Sequence, residues 1–257
     1  MRLLACLLLI VSLCGFRPFA PAADGPVELE VLDRDADAWL PQRAHRGEAW
    51  IAGTPGHRYA VRLHNRGGQR VLAVLSVDGV NAVSGQTAAA DQRGYVLAPG
   101  QSIEVAGWRK SQREVAQFVF TGLDDSYAAR TGRPDNVGVI GIAVFDEAQP
   151  AMEESAVAVA GSARPAPAPV QRAESATGDM ASAQRLGTGH GEREWSPATT
   201  TVFVRASATP RQLTQLRYDS HARLVARGVI PAPKRQPRFA RAPQAFPGGF
   251  VADPPPR

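Results

Sequence analysis

RYAVRLHN (58–65), RVLAVLSVDG (70–79), SIEVAGW (102–108), AQFVFTG (116–122) and NVGVIGIAVFDE (136–147) decide the fold. Short alternating or wholly apolar runs, broken by Gly, Pro and Asn, read as an all-β chain, an antiparallel β-sandwich or open barrel. In 58–64 the parity is plain. Tyr59, Val61 and Leu63 share one face, while Arg58, Arg62 and His64 share the other, as in a half-buried strand. Val71, Leu72, Val74, Leu75 and Val77 are apolar on both faces, which predicts a central strand. The run 137–145 is a second candidate for a sheet centre. Gly67-Gly68 predicts a two-residue hairpin between the first two runs, and Asp78-Gly79 starts the next turn. Ala98-Pro99-Gly100 joins 95–97 to 102–105 as a strand–turn–strand unit.

Outward from this block, 27–32 reads as an edge strand and 49–51 as a short second one. One or two helical turns are expected. Ser111-Gln112-Arg113-Glu114 matches a capping box, and 125–131 forms a turn stopped by Gly132. The sandwich domain spans 24–147. Residues 148–184, rich in Ala, Pro, Ser and Glu, bury too little surface to offset ordering entropy and read as a disordered linker. Order returns over 185–230: 201–204 as a strand anchored by Phe203, 212–218 as another, then a short helix 221–227 capped by Ser220 and closed by Gly228. That piece is too small to fold alone, so it packs back on the sandwich. The Arg/Pro-rich tail, 231–257, reads as disordered.

The N-terminus carries Arg2, an apolar run Leu3–Leu13 and a small-residue exit at Ala20-Pro21-Ala22-Ala23, a secretory signal peptide over 1–23. Cys6 and Cys14, the only cysteines, fall inside it, so the mature chain has neither a disulfide nor a thiol nucleophile. The net charge of +5 is unevenly spread. Without Arg2 and Arg17 it is +3, and the tail holds five cations against one acid, leaving about −1 for the folded part. No later stretch is long and apolar enough to be a transmembrane segment.

The runs Tyr59-Ala-Val-Arg-Leu63, Ser76-Val-Asp-Gly-Val-Asn81, Gly107-Trp108, the stretch from Tyr127 to Gly141 (YAARTGRPDNVGVIG) and Leu186-Gly-Thr-Gly-His-Gly191 are distinctive as a set. In them the chain resembles a family of exported bacterial β-rich proteins with no assigned activity. The resemblance extends over Arg217-Tyr218-Asp219 and Phe246-Pro247. It implies the architecture and brings no mechanism.

Candidate ligand-binding residues are Asp78, Asn81, Trp108, Asp125 and His190. Asp78 and Asn81 could sit on a ligand loop, or Asp-Gly could make the turn while the side chains bond local amides. Asp124, Asp125, Asp135 and Asn136 offer oxygen ligands of the kind calcium takes, without the spacing of an EF-hand; Asp125 or Ser126 as a helix cap is the plainer reading. Gly187-Thr-Gly-His190-Gly191 lacks the Lys-Ser/Thr of a phosphate loop and reads as a flexible re-entry from the linker. His45, His57, His64, His190 and His221 show no zinc spacing, and no G-x-S-x-G is present. Trp39, Trp50, Trp108 and Trp195 could line a carbohydrate platform, although packing suits Trp108 better. No catalytic set, metal motif or cofactor motif stands out.

These features predict an exported, non-enzymatic module of the cell envelope, periplasmic or secreted. An envelope protein or anionic polymer could meet the Arg-rich tail, since guanidinium binds carboxylate and phosphate bidentately. Nucleic acid is disfavoured by export and by the near-neutral folded part. The alternative is an envelope hydrolase or carbohydrate-active enzyme with loop-borne carboxylates, and a third option is a calcium-dependent adhesion module.

Overall fold

The computed structural model describes residues 25–149 and 186–232. The expected signal peptide (1–23) and nearly all of the expected linker (148–184) and tail (231–257) lie outside the described residues. The strands are β1 (Val27–Asp33), β2 (Ala38–Trp39), β3 (Arg43–His45), β4 (Glu48–Gly53), β5 (Arg58–Asn65), β6 (Val71–Val77) and β7 (Val80–Asn81). They continue as β8 (Tyr95–Leu97), β9 (Ser102–Val105), β10 (Gly107–Arg109), β11 (Glu114–Gly122), β12 (Val139–Asp146), β13 (Leu186–Trp195) and β14 (Gln212–Ser220). Two short helices, α1 (Tyr127–Arg130) and α2 (His221–Ala226), follow β11 and β14.

The strands form two sheets that face each other without closing into a barrel. The first runs β2–β1–β5–β11–β13. Where β5 and β11 part, β9 pairs with β5 and β10 with β11, so one ribbon bent at Ala106 fills the gap. The second runs β3–β4–β14–β12–β6, with β7 and β8 on the free edge of β6. All its pairs are antiparallel except β14 with β4. Thus β14 lies in the interior of this sheet, between β12 and β4, while among the described residues β13 pairs only with β11.

The difference between alternating and wholly apolar strands has a physical cause in this layering. On β1, Val27, Leu29 and Val31 are buried against the opposite sheet. Its other face carries Glu28 and Glu30, which pair with Arg66 and Arg62. The second sheet is covered on both faces. Val71, Ala73, Leu75 and Val77 of β6 enter the inter-sheet core, whereas Leu72 and Val74 join Ala143 and Phe145 in an outer cluster sheltered by Ala90, Val96 and Phe203. α2 covers Trp50 of the same sheet with Leu224, near Val229 and Ile230.

Four local expectations are corrected. Gly67-Gly68 is not a hairpin, because β5 and β6 belong to different sheets; the Ala98-Pro99-Gly100 turn joins β8 to β9 as the strand–turn–strand unit expected, and it too crosses from one sheet to the other. Buried Asn65 ties these two crossovers together: its amide donates to the carbonyls of Gln69 (2.8 Å) and Ala98 (3.0 Å), and its oxygen accepts from the Gly67 N–H (2.9 Å). Ser111–Glu114 makes no helix. The Ser111 hydroxyl accepts from the amides of Arg113 and Glu114, both at 3.1 Å, in the turn between β10 and β11. Residues 201–204 form no strand; one bridge joins Arg205 to Glu147, and Phe203 anchors the segment. The glycine-rich run 187–191 is no loose re-entry but the first half of β13.

Candidate functional site

Asp78 and Gly79 both adopt positive φ (53° and 72°), which a two-residue hairpin between β6 and β7 requires. That turn aims the Asp78 carboxylate inward. One oxygen accepts from the Tyr218 hydroxyl (2.6 Å) and the Gly138 N–H (2.9 Å), and the other from the Thr188 N–H (2.7 Å). The Tyr218 proton is therefore spent on the carboxylate, so the Thr188 hydroxyl donates to Tyr218 (2.6 Å) and Tyr59 donates to Thr188 (2.6 Å). A relay of three hydroxyls ends on one carboxylate, and it joins β5 and β13 of the first sheet to β6, β12 and β14 of the second. Burial raises the Asp78 pKa to about 6 in spite of these donors, and burial raises both tyrosines well above their ordinary value.

No solvent reaches this relay: Asp78, Thr188 and Tyr59 are fully buried and Tyr218 is 2 % exposed. Asn81 is buried as well. Its oxygen accepts from Val83 (2.7 Å) and Ser84 (2.9 Å) and its amide donates to the Arg93 carbonyl (3.0 Å), so Asn81 bonds local amides, whereas Asp78 makes the turn but bonds the distant amides of Gly138 and Thr188. Trp108 is buried with its ring edge-on to Phe118 at 4.8 Å and tilted on Tyr127 at 4.9 Å. It packs under the surface rather than forming part of it.

Asp125 and His190 meet a different fate. Both are exposed, and with Tyr127, Arg130 and Thr131 they line one open cleft between α1 and β13. Ser126, not Asp125, caps α1, accepting from the Ala129 N–H at 3.2 Å. Gly187 allows the helix this close, since a Cβ there would lie 2.7 Å from Ser126 Cβ and from a Val137 methyl. The half-buried Tyr127 ring stands 5.6 Å from the His190 ring, and the Arg133 guanidinium lies over it at 5.8 Å. Partial burial, then the nearby Lys110 charge, lowers the His190 pKa and favours neutral imidazole.

A second polar pair escaped the sequence reading. Buried Asp33 holds His57 Nδ1 at 2.9 Å and also accepts from the Ala36 N–H at 3.0 Å, tying the turn after β1 to the turn before β5. Only its depth distinguishes it from a surface ion pair, and sequence spacing carries no sign of depth. Among the described residues no three His, Cys, Asp or Glu side chains gather to hold a metal, so Asp124, Asp125 and Asp135 form no calcium cage there. No helix of the described residues is long and apolar enough to cross a membrane. Comparison with protein-family models, curated proteins and solved structures finds no match.

Proposed function

We propose that the protein is an exported, non-enzymatic β-sandwich, periplasmic or secreted, serving as a binding or structural module of the bacterial cell envelope. One observation carries this reading. Of the residues that look chemically suggestive in sequence, Asp78 and Asn81 are spent inside the fold, whereas Asp125 and His190 are exposed and line one cleft with Arg130 beside the Tyr127 ring. A cleft of that composition suits recognition, with the ring supplying contact area and the charged groups orientation. The leader-like N-terminus supports export, and the Arg/Pro-rich tail supports contact with an anionic polymer or an envelope protein.

The test immobilises the mature chain, with and without residues 231–257, and exposes it to envelope fractions. A retained component that Arg130→Ala releases is the expected result. Recovery of nothing by either form overturns the reading. One observation favours the hydrolase alternative, namely that Asp125 and His190 share the cleft. Release of new reducing ends from envelope polysaccharide by the wild type, and not by Asp125→Asn, would establish it.

A further inference from the structure

The β3–β4 hairpin turns through Arg46 and Gly47, at φ 51° and 80°. Both lie in the left-handed region that such a hairpin requires, as Asp78 and Gly79 do between β6 and β7. Among the described residues the non-glycines with positive φ are Asp37, Arg46 and Asp78. Aspartate tolerates that backbone through its short polar side chain, whereas arginine has no such device. The Asp78 carboxylate is held by three donors. The Arg46 guanidinium is exposed and, among the described residues, has no hydrogen bond, ion pair or ring contact. The fold therefore gains nothing from arginine at this tip, where glycine or asparagine would turn the chain with less strain.

The surroundings of Arg46 are basic. Register places Arg43 of β3 and Arg217 of β14 on either side of Trp50, on the outer face of the second sheet. The Arg217 and Arg227 guanidinia lie over the Trp50 ring at 5.8 and 5.3 Å. Across β3, β4, β14, α2 and their turns, Arg43, Arg46, Arg217, Arg223 and Arg227 face only Glu48 and Asp219 as acids. A surplus of charge alone singles out no surface, since the β10–β11 turn also carries Arg109, Lys110 and Arg113. This surface has two further marks, the strained arginine at its tip and the chain that leaves it. Ile230 packs with Trp50, and the sequence beyond it carries Lys234-Arg235, Arg238-Phe239, Arg241 and Phe246.

We propose that the β3–β4 hairpin and the Trp50 face form a docking surface for an anionic phospholipid membrane, with the tail cations adding to the same attraction. The inference rests on the envelope reading above and adds a second surface, built on other residues than the α1–β13 cleft. Guanidinium meets lipid phosphate through paired donors, and each cation near an anionic bilayer adds its own increment of binding. Phenylalanine among the tail cations favours lipid over a soluble polyanion, because the bilayer interface takes up apolar rings and a polyanion in water does not.

The experiment is co-sedimentation of the full mature chain with vesicles of phosphatidylcholine, or of phosphatidylcholine and phosphatidylglycerol in equal parts. Binding to the anionic vesicles alone, weakened by salt, is expected. Arg46→Asn should bind them about fivefold more weakly, and Arg43→Gln with Arg46→Asn about 25-fold. Arg46→Asn should melt no lower than the wild type, since asparagine suits the turn, so its lost binding would not be lost folding. A lower melting temperature for that variant makes the arginine structural and overturns the argument from strain. Binding that the double variant keeps in full, and that removal of 231–257 abolishes, assigns the attraction to the tail and overturns the hairpin surface. Soluble polyphosphate bound as tightly as the vesicles overturns the choice of lipid. Equal binding to both kinds of vesicle, or to neither, overturns the inference. The module reading is judged separately, by the envelope component that Arg130→Ala releases.

Discussion

The Asp78 relay and the α1–β13 cleft are built from similar side chains and serve opposite ends. Each has an aspartate, a threonine and tyrosine. In the relay every donor has an acceptor, no atom faces water, and the group locks one sheet to the other. In the cleft Asp125, Arg130 and His190 are exposed and keep atoms for something outside the chain. Chemical suggestiveness in a sequence thus says little until burial is known. Burial turns a reactive residue into a structural one by satisfying it.

The contrast can be broken from the inside first. Asp78→Ala strands the Tyr218 hydroxyl and the amides of Gly138 and Thr188, and it places alanine at positive φ. A loss of about 4 kcal/mol in urea unfolding is expected, and a loss under 1 kcal/mol would show that the relay holds nothing together. The next effect is pH-dependent. The folded-state pKa of Asp78 is raised to about 6 from an ordinary 3.8, so between these values the native state binds more protons than the unfolded one. Its contribution to stability therefore declines as pH rises from about 4 to 6, by up to about 3 kcal/mol. Asp78→Asn should flatten that slope in unfolding midpoints between pH 4 and 7. Asp35 and Glu194, held down mainly by Arg58 and Arg34, act with opposite sign at lower pH.

Gly187→Ala tests the joint between the two regions. Its methyl would meet Ser126 and Val137 at 2.7 Å, so about 2 kcal/mol should be lost and α1 displaced, with ligand binding falling in parallel. The smallest stability change belongs to the cleft. Arg130→Ala and His190→Ala should each stay within about 0.5 kcal/mol of the wild type in thermal unfolding while altering retention of the envelope component. A destabilisation as large as that of Asp78→Ala would make the cleft structural and erase the contrast.

Strand character was legible because burial on one or two faces writes itself into local alternation, as in β1, β5 and β6. Sheet membership was not. Gly67-Gly68 and Ala98-Pro99-Gly100 announce reversals of the chain, and a reversal looks alike whether it leads to a neighbouring strand or to the opposite layer. Ser111 with Glu114 carries the spacing of a helix cap, yet the same hydroxyl serves a tight turn equally well. The relay was invisible for a different reason: Thr188 is 110 residues from Asp78, and Tyr218 is 140 residues from it. Asp125 and His190 were both singled out in sequence, but their meeting depends on β13 lying beside α1, which no local pattern encodes.

The interior position of β14 governs the order of assembly. As the chain leaves the ribosome, β4 and β12 emerge long before their common partner, and each waits with an open row of amides and carbonyls. The second layer cannot close until residues 212–220 are made, so nascent intermediates stay unfolded and vulnerable to sticking. Truncation ahead of residue 212 should therefore yield aggregates rather than a smaller sandwich.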